Sequence, residues 1–322
     1  MKKVLLAILF IGLLMFIYAS TDKSPDENTI SEKLKKWKSS SKTFKFKNFN
    51  ISYHDTNDSS KEVILLLHGY PSSSFDWNLL WDELKKEYRL VAIDMLGFGL
   101  SDKPNDIDYS ISIQTDIQEA FLKQLGIKRF HILAHDYGDN VAQELIARLI
   151  DNELEYPFKI RSVTLLNGGL FPETHQATVI QTLLGSPIGS YVSSLINKPL
   201  FDNSFKKVFG ENTKPSKQDL IDQWYLICKN KGNRINNKLV HAIKDRIVNK
   251  ERWENSIKYE KIPIVFINGL QDPVTGKSTV DRYMAIVPNP NVIKLKSIGH
   301  FPQLESPELI VKHVTEFINT IY

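Results

Sequence analysis

Asp136 stands in Ala134-His135-Asp136-Tyr137-Gly138, between the apolar run Phe130 to Leu133 and the helix-like run Val141 to Ile150. A strand that turns sharply into a helix needs small residues around its central position, because the turn leaves no room for bulk and thrusts that side chain out of the sheet edge. The central residue here is a carboxylate. A carboxylate attacks saturated carbon well and gives an alkyl ester of the protein, whereas attack on an ester carbonyl gives an unstable anhydride. The residue type therefore points to opening epoxides or displacing halide. Taken alone, small-x-Asp-x-small is also an ordinary polar turn.

An ester on Asp136 must then be hydrolysed, which calls for a base and a group to orient it. His300 lies in Gly299-His300-Phe301-Pro302, between the last expected strand and the last helix, and Asp272 follows the preceding strand in Gly269-Leu270-Gln271-Asp272-Pro273. Each alone reads equally as a helix-start histidine or an Asp-Pro turn. Together they give the order nucleophile, acid, histidine, at three strand ends where sheets of this kind hold their ligands. His68-Gly69-Tyr70-Pro71 follows the buried run Val63 to Leu67. There the backbone amide of Tyr70 can join that of Tyr137 as an oxyanion hole, in which losing one donor costs about 3 to 4 kcal/mol in other enzymes.

These residues need a sheet to hold them. Thr43 to Phe49 and Ile51 to His54 alternate as a hairpin does. Val63 to Leu67, Leu90 to Ile93, Phe130 to Leu133 and Ile160 to Leu166 are continuous apolar runs, expected of strands buried on both faces. Between them Trp77 to Tyr88 and Ile113 to Leu125 have helical periodicity. Such alternation means a mostly parallel central sheet flanked by helices. From Gly169 to Ile257 the rhythm is helical without a strand, and strand signals resume at Ile262 to Ile267 and Asn291 to Leu295 before a last helix over Pro307 to Ile321. The expected organisation is an α/β core over residues 43–168 and 258–322, with an inserted helical lid over 169–257.

Composition sets the outer bounds. The chain has 322 residues, 42% hydrophobic and 24% charged, which suits a globular protein with a substantial core. Its net charge of +4 comes from 41 basic and 37 acidic residues without an arginine-rich run, so nucleic acid is not an expected partner. The single cysteine, Cys228, excludes an internal disulfide, and no histidine pair has metal-ligand spacing, so neither metal nor cofactor is expected. Gly97-Phe98-Gly99 and Gly276-Lys277-Ser278 lack the further glycines of nucleotide-binding loops and read as turns.

At the N-terminus, Lys2 and Lys3 precede an apolar run from Val4 to Ala19. At about 1.5 Å per residue it is roughly 24 Å long, near the lower limit for crossing a bilayer. Bulky Tyr18 or Ile17 at the third-last place disfavours signal cleavage. Residues 1–20 are expected to be a retained membrane anchor with a lumenal domain, the alternative being a secreted protein after signal cleavage. Two sequons, Asn50-Ile51-Ser52 and Asn57-Asp58-Ser59, are compatible with either. The polar, serine-rich residues 21–42 read as a linker with a short helix around Ser31 to Trp37.

The segments His68 to Trp77, Asp94 to Pro104, Ala134 to Leu145 and Gly299 to Pro307 resemble the α/β-hydrolase superfamily, in its epoxide hydrolase and haloalkane dehalogenase branch. Within it, Trp37 to Phe46, the elbow and Asn167 to His175 resemble the mesoderm-specific transcript group of animal proteins. That resemblance implies a hydrolase of the endoplasmic reticulum membrane and leaves its substrate open; the apolar N-terminal run is what points to a hydrophobic small molecule or lipid. Epoxide hydrolases of the branch carry lid tyrosines that donate to the epoxide oxygen. Counting back from Lys229-Asn230-Lys231-Gly232 puts Trp224 at one such place with Tyr225 beside it, and Tyr191 is the other candidate. Some dehalogenases of the branch take the triad acid from the position of Asn167, which cannot be an anion; Asp272 keeps the role, with Glu173 a distant second. Two rivals remain open: a lipid ester or thioester hydrolase with Asp136 as base on water, and a non-catalytic lipid- or partner-binding protein.

Overall fold

The computed structural model describes residues 24–259 and 261–321. Eight strands form one sheet: β1 (Lys42–Phe46), β2 (Phe49–Asp55), β3 (Val63–Leu67), β4 (Arg89–Ile93), β5 (Arg129–His135), β6 (Lys159–Leu166), β7 (Ile264–Gly269) and β8 (Val292–Leu295). The order across the sheet is β1-β2-β4-β3-β5-β6-β7-β8. The first hairpin and the β2–β4 pair are antiparallel and every later pair is parallel. The interior strands are largely apolar, and β3 wholly so, because both faces are covered. Leu65 and Leu67 of β3 pack in one core, Ile64 and Leu66 in the other.

The helices outside the long insertion are α1 (Glu32–Ser40), α2 (Asn78–Leu84), α3 (Ile111–Gln124) and α4 (Tyr137–Asp151). Between β6 and β7 come α5 (Val179–Leu184), α6 (Gly189–Leu195), α7 (Lys198–Val208), α8 (Lys217–Cys228), α9 (Asn236–Leu239), α10 (Ala242–Val248) and α11 (Lys250–Ile257). Then follow α12 (Lys277–Ile286), α13 (Pro302–Glu305) and α14 (Pro307–Asn319). Helices α3, α4 and α12 cover one face of the sheet, while α2 and α14 cover the other. Among the described residues the insertion contains no strand, and its helices build a core of their own around Phe201, Phe205 and Trp224.

The stretch read as a linker is docked instead. Ser31 caps α1 by accepting from the Leu34 amide, and its own amide donates to the Asp222 carboxylate on α8 at 2.8 Å. Leu34 and Trp37 are buried, with the Trp37 ring 5.0 Å from that of Trp81. Helical spacing of those two residues makes an apolar stripe too good to leave in water. Among the described residues no helix is long and apolar enough to cross a membrane. The apolar run Val4 to Ala19 lies outside them.

Candidate active site

β5 delivers Asp136 at its C-terminal end and α4 starts one residue later. Asp136 has φ +50°, in the left-handed region that a side chain adopts only at a cost. Two glycines make the bend possible. A Cβ on Gly138 would collide with the Leu67 carbonyl oxygen of β3, and one on Gly69 would lie 2.8 Å from the Asp136 Cβ. Strand β3 ends in the loop that carries Tyr70, whose amide donates to Asp136 Oδ1 at 2.9 Å. Tyr137 is the first residue of α4, where amides have no partner within the helix. Its ring is buried against Phe98 and its hydroxyl donates to the Tyr109 carbonyl at 3.3 Å.

Asp272 follows β7 and His300 follows β8, and the two meet. His300 Nδ1 lies 2.8 Å from Asp272 Oδ2, and His300 Nε2 lies 3.6 Å from Asp136 Oδ2. The structure thus brings Asp136, Asp272, His300 and the Tyr70 amide to one rim of the sheet. All three side chains of the triad are buried.

Several unforeseen residues hold this arrangement. Asn167 donates to Asp272 Oδ2 at 2.9 Å, Thr275 Oγ1 donates to the same oxygen at 2.6 Å, and the Val274 amide donates to Oδ1 at 2.7 Å. The asparagine that cannot serve as the acid orients the acid instead. Glu305 clamps the histidine loop by accepting from the amides of Gly299 at 2.8 Å and Phe301 at 2.9 Å. Its place five residues after His300 is a signal that the sequence did carry, as a carboxylate able to reach back over a helix start. His135 donates from Nε2 to the His300 carbonyl at 2.8 Å, and burial keeps that imidazole neutral, down at about 3.

The charges follow from burial set against proximity. Burial alone would push Asp272 up and His300 down. Their mutual attraction and hydrogen bond win, holding Asp272 down at about 2 and lifting His300 to about 9. Burial also opposes ionisation of Asp136, yet the charges of His300 and Arg246 and the Tyr70 amide hold it below the usual carboxylate range. These shifts favour a carboxylate at Asp136 beside an imidazolium at His300.

Arg246 of α10 went unnoticed in the sequence. It is buried, donates from Nε to Asn140 Oδ1 at 2.7 Å, and lies with Nη1 3.2 Å from His175 Nδ1. A Cβ on Gly169 would run into its guanidinium. Gly169 therefore leaves room for this cation, and Gly168 leaves room for the Asp139 carboxyl.

Above Asp136 and His300 opens a cavity. Its wall is largely apolar, with Ile180, Ile196, Phe205, Trp224 and Val274 among the lining residues. Trp224 is buried and contributes to that wall. Tyr225 turns the other way, its hydroxyl accepting from Lys38 Nζ at 2.8 Å and lying 3.2 Å from Glu27 Oε2. Tyr191 is half exposed on α6 and is not among the residues that line the cavity. Glu173 is paired with Lys250 and Arg282, both at 3.1 Å, and takes no part in the triad. Tyr70 is the tyrosine that lines the cavity.

Two carboxylates, an imidazole between them and an amide donor at the ends of β3, β5, β7 and β8 are the arrangement of a hydrolase built on an α/β sheet. The chain belongs to the α/β-hydrolase fold family, whose sequence profile matches residues 62–307. It is 40% identical to the human mesoderm-specific transcript homolog protein over 300 residues, which cover 90% of this chain and 89% of that one. It is 24% identical to epoxide hydrolase 1 of Caenorhabditis elegans over 326 residues, 97% of this chain and 78% of that one. A loop variant of a haloalkane dehalogenase from Bradyrhizobium elkanii has the same fold, with a TM-score of 0.73 at 20% identity, covering 88% of this chain and 97% of that chain.

Proposed function

We propose that this hydrolase opens an uncharged, hydrophobic small molecule or lipid through an alkyl ester on Asp136, in the manner of an epoxide hydrolase. The observation that carries the reading is the ionised Asp136 carboxylate with one oxygen on the Tyr70 amide and the other 3.6 Å from His300 Nε2. In the first step Asp136 attacks carbon and the carbon–oxygen or carbon–halogen bond breaks. Esterification removes a negative charge from beside His300, so its affinity for the proton falls. It gives that proton up, to the alkoxide of an opened epoxide or, after halide departure, to solvent, and becomes the base that the second step needs. Water, deprotonated by His300, then attacks the ester carbonyl. The Tyr70 and Tyr137 amides face the oxyanion; its collapse breaks the bond to the product oxygen, which leaves as an alcohol with the proton from His300, and the Asp136 carboxylate is regenerated.

The cavity supports an apolar substrate, since Asp136 and His300 are the ionised groups on its wall. We assign Trp224 to substrate packing and the helical insertion to the role of lid. The apolar run Val4 to Ala19 enters the reading as an anchor in the endoplasmic reticulum membrane, with the described domain on the lumenal side.

Replacing His300 by Ala blocks the second step and leaves the first. Intact mass after exposure to a panel of epoxides and haloalkanes is expected to rise by one equivalent of the epoxide, or of the haloalkane less hydrogen halide. An unmodified mass across the panel, from folded protein, overturns the covalent route.

A further inference from the structure

We infer that the outer face of α5 and α6 docks on a phospholipid bilayer, which places the wall of the substrate cavity at the lipid surface. From Gln176 to Asn197 the sequence holds no Asp, Glu, Lys or Arg, in a chain that is 24% charged. A solvated face of ordinary composition would not be so bare of charge. The run nevertheless leaves large apolar side chains in the open: Val179 is 77% exposed, Leu183 41%, Ile188 58% and Tyr191 49%. Val179 and Leu183 are four apart on α5 and share a face, while Thr178, Ile180 and Gln181 beside them line the cavity. One short helix thus presents one side to the substrate and an apolar side outward. Contiguous exposed apolar surface of this kind marks a protein or a membrane contact.

The route of the chain selects the membrane. The described residues begin at Ser24, and Glu27 is already tied to Lys38 of α1 and Tyr225 of α8. Because α1 is docked rather than free, residues 20–23 are all that separates the apolar run ending at Ala19 from the folded body. Four residues span at most about 14 Å. With the run in a bilayer, the body is held against that bilayer and has to present some face to it. The face of α5 and α6 can enter the interfacial layer without desolvating a charge, an advantage that charged helix faces lack. An apolar substrate then passes from lipid to cavity without crossing bulk water. The chemistry at Asp136 is independent of this inference.

The test uses the full chain in phosphatidylcholine vesicles, with a bimane dye on a cysteine introduced as Val179→Cys, Leu183→Cys or Tyr191→Cys. Leu154→Cys serves as the control, because Leu154 is fully exposed just beyond the end of α4 remote from the elbow, and the native Cys228 is buried. Dyes at 179, 183 and 191 are expected to be quenched by brominated phosphatidylcholine at least threefold more than the dye at 154, which answers to aqueous iodide instead. Adding Leu183→Glu and Ile188→Glu is expected to bring the dye at 179 to the level of the control. Equal response of all four dyes to iodide overturns the inference. So does shielding of the three from both quenchers, which marks a protein contact, and so does failure of the chain to float with the vesicles. No readout involves turnover, so a failure here is distinct from a failure of the covalent route.

Discussion

In the proposed route His300 carries two tasks that demand opposite protonation states, and the charge on Asp136 switches between them. In the resting site burial works against the imidazolium, but the Asp272 and Asp136 carboxylates lift it to about 9. The same contact has a signature in stability. The raised value of His300 contributes stability that is full below its ordinary 6.5 and lost as pH climbs through about 9. The depressed value of Asp272 contributes stability that is full above its ordinary 3.8 and lost as pH drops through about 2. Melting temperature is therefore expected to be level from about pH 4 to 6.5 and to fall on both sides, and in Asp272→Asn the alkaline fall should shrink, as a pH series of thermal melts will read. Tyr70 gives a prediction about the bond broken. Burial and the Asp136 charge raise its phenol, so it stays protonated and can donate to a departing epoxide oxygen. Tyr70→Phe keeps the amide and removes the proton, and should slow ester formation from epoxides by about a hundredfold or more. Ester formation from haloalkanes, whose leaving group takes no proton, should be spared. Equal slowing of both in single-turnover mass measurements would assign Tyr70 to packing alone.

The strands were legible because their burial is written locally. Val63 to Leu67 could be read to the residue, since a strand covered on both faces leaves no polar position. Docking of α1 was not legible, because the helix was visible in its spacing but its partner Asp222 lies 191 residues away. The choice between Trp224 and Tyr225 turned on the phase of one helix. Neighbouring residues differ by about 100° around the axis, so periodicity could name the helix but not the side facing the cavity. Two expectations follow for elements. If α1 is part of the folded body, Leu34→Ala should cost about 2 to 5 kcal/mol and Trp37→Ala about 3 to 5 kcal/mol in urea unfolding. A free linker would show no change. At the elbow, Gly138→Ala forces a methyl group against the Leu67 carbonyl and should destabilise by about 1 to 3 kcal/mol, reading out as a lower melting temperature.

Seen as a whole, the molecule sets a negative rim against cations that come from elsewhere in the chain. The core alone would bury Asp136, Asp139 and Asp272 together near one imidazolium. Burial and the neighbouring Asp136 charge push Asp139 well above the usual carboxylate range, so it keeps its proton. The positive charge of Arg246 is then left to act on Asp136, and Arg246 belongs to the insertion, not to the sheet. This explains why it escaped the sequence: one arginine in a helical stretch has no motif, and its partners Asn140 and His175 lie 106 and 71 residues away. It also means that the insertion does more than line the cavity, since its Arg246 helps to hold the Asp136 carboxyl down. Arg246→Gln should lower stability, because it removes a buried side chain that donates to Asn140 and whose charge acts on Asp136. That loss by itself is what any buried, hydrogen-bonded side chain predicts, so the discriminating measurement is the pH dependence of ester formation. Without the guanidinium the Asp136 carboxyl holds its proton more tightly, and the acid limb of the single-turnover rate should move to higher pH. Arg246→Lys, which restores the charge but not the fork, should return the limb toward its original position while leaving part of the stability loss. An acid limb that stays in place in Arg246→Gln would reduce Arg246 to a strut between insertion and core.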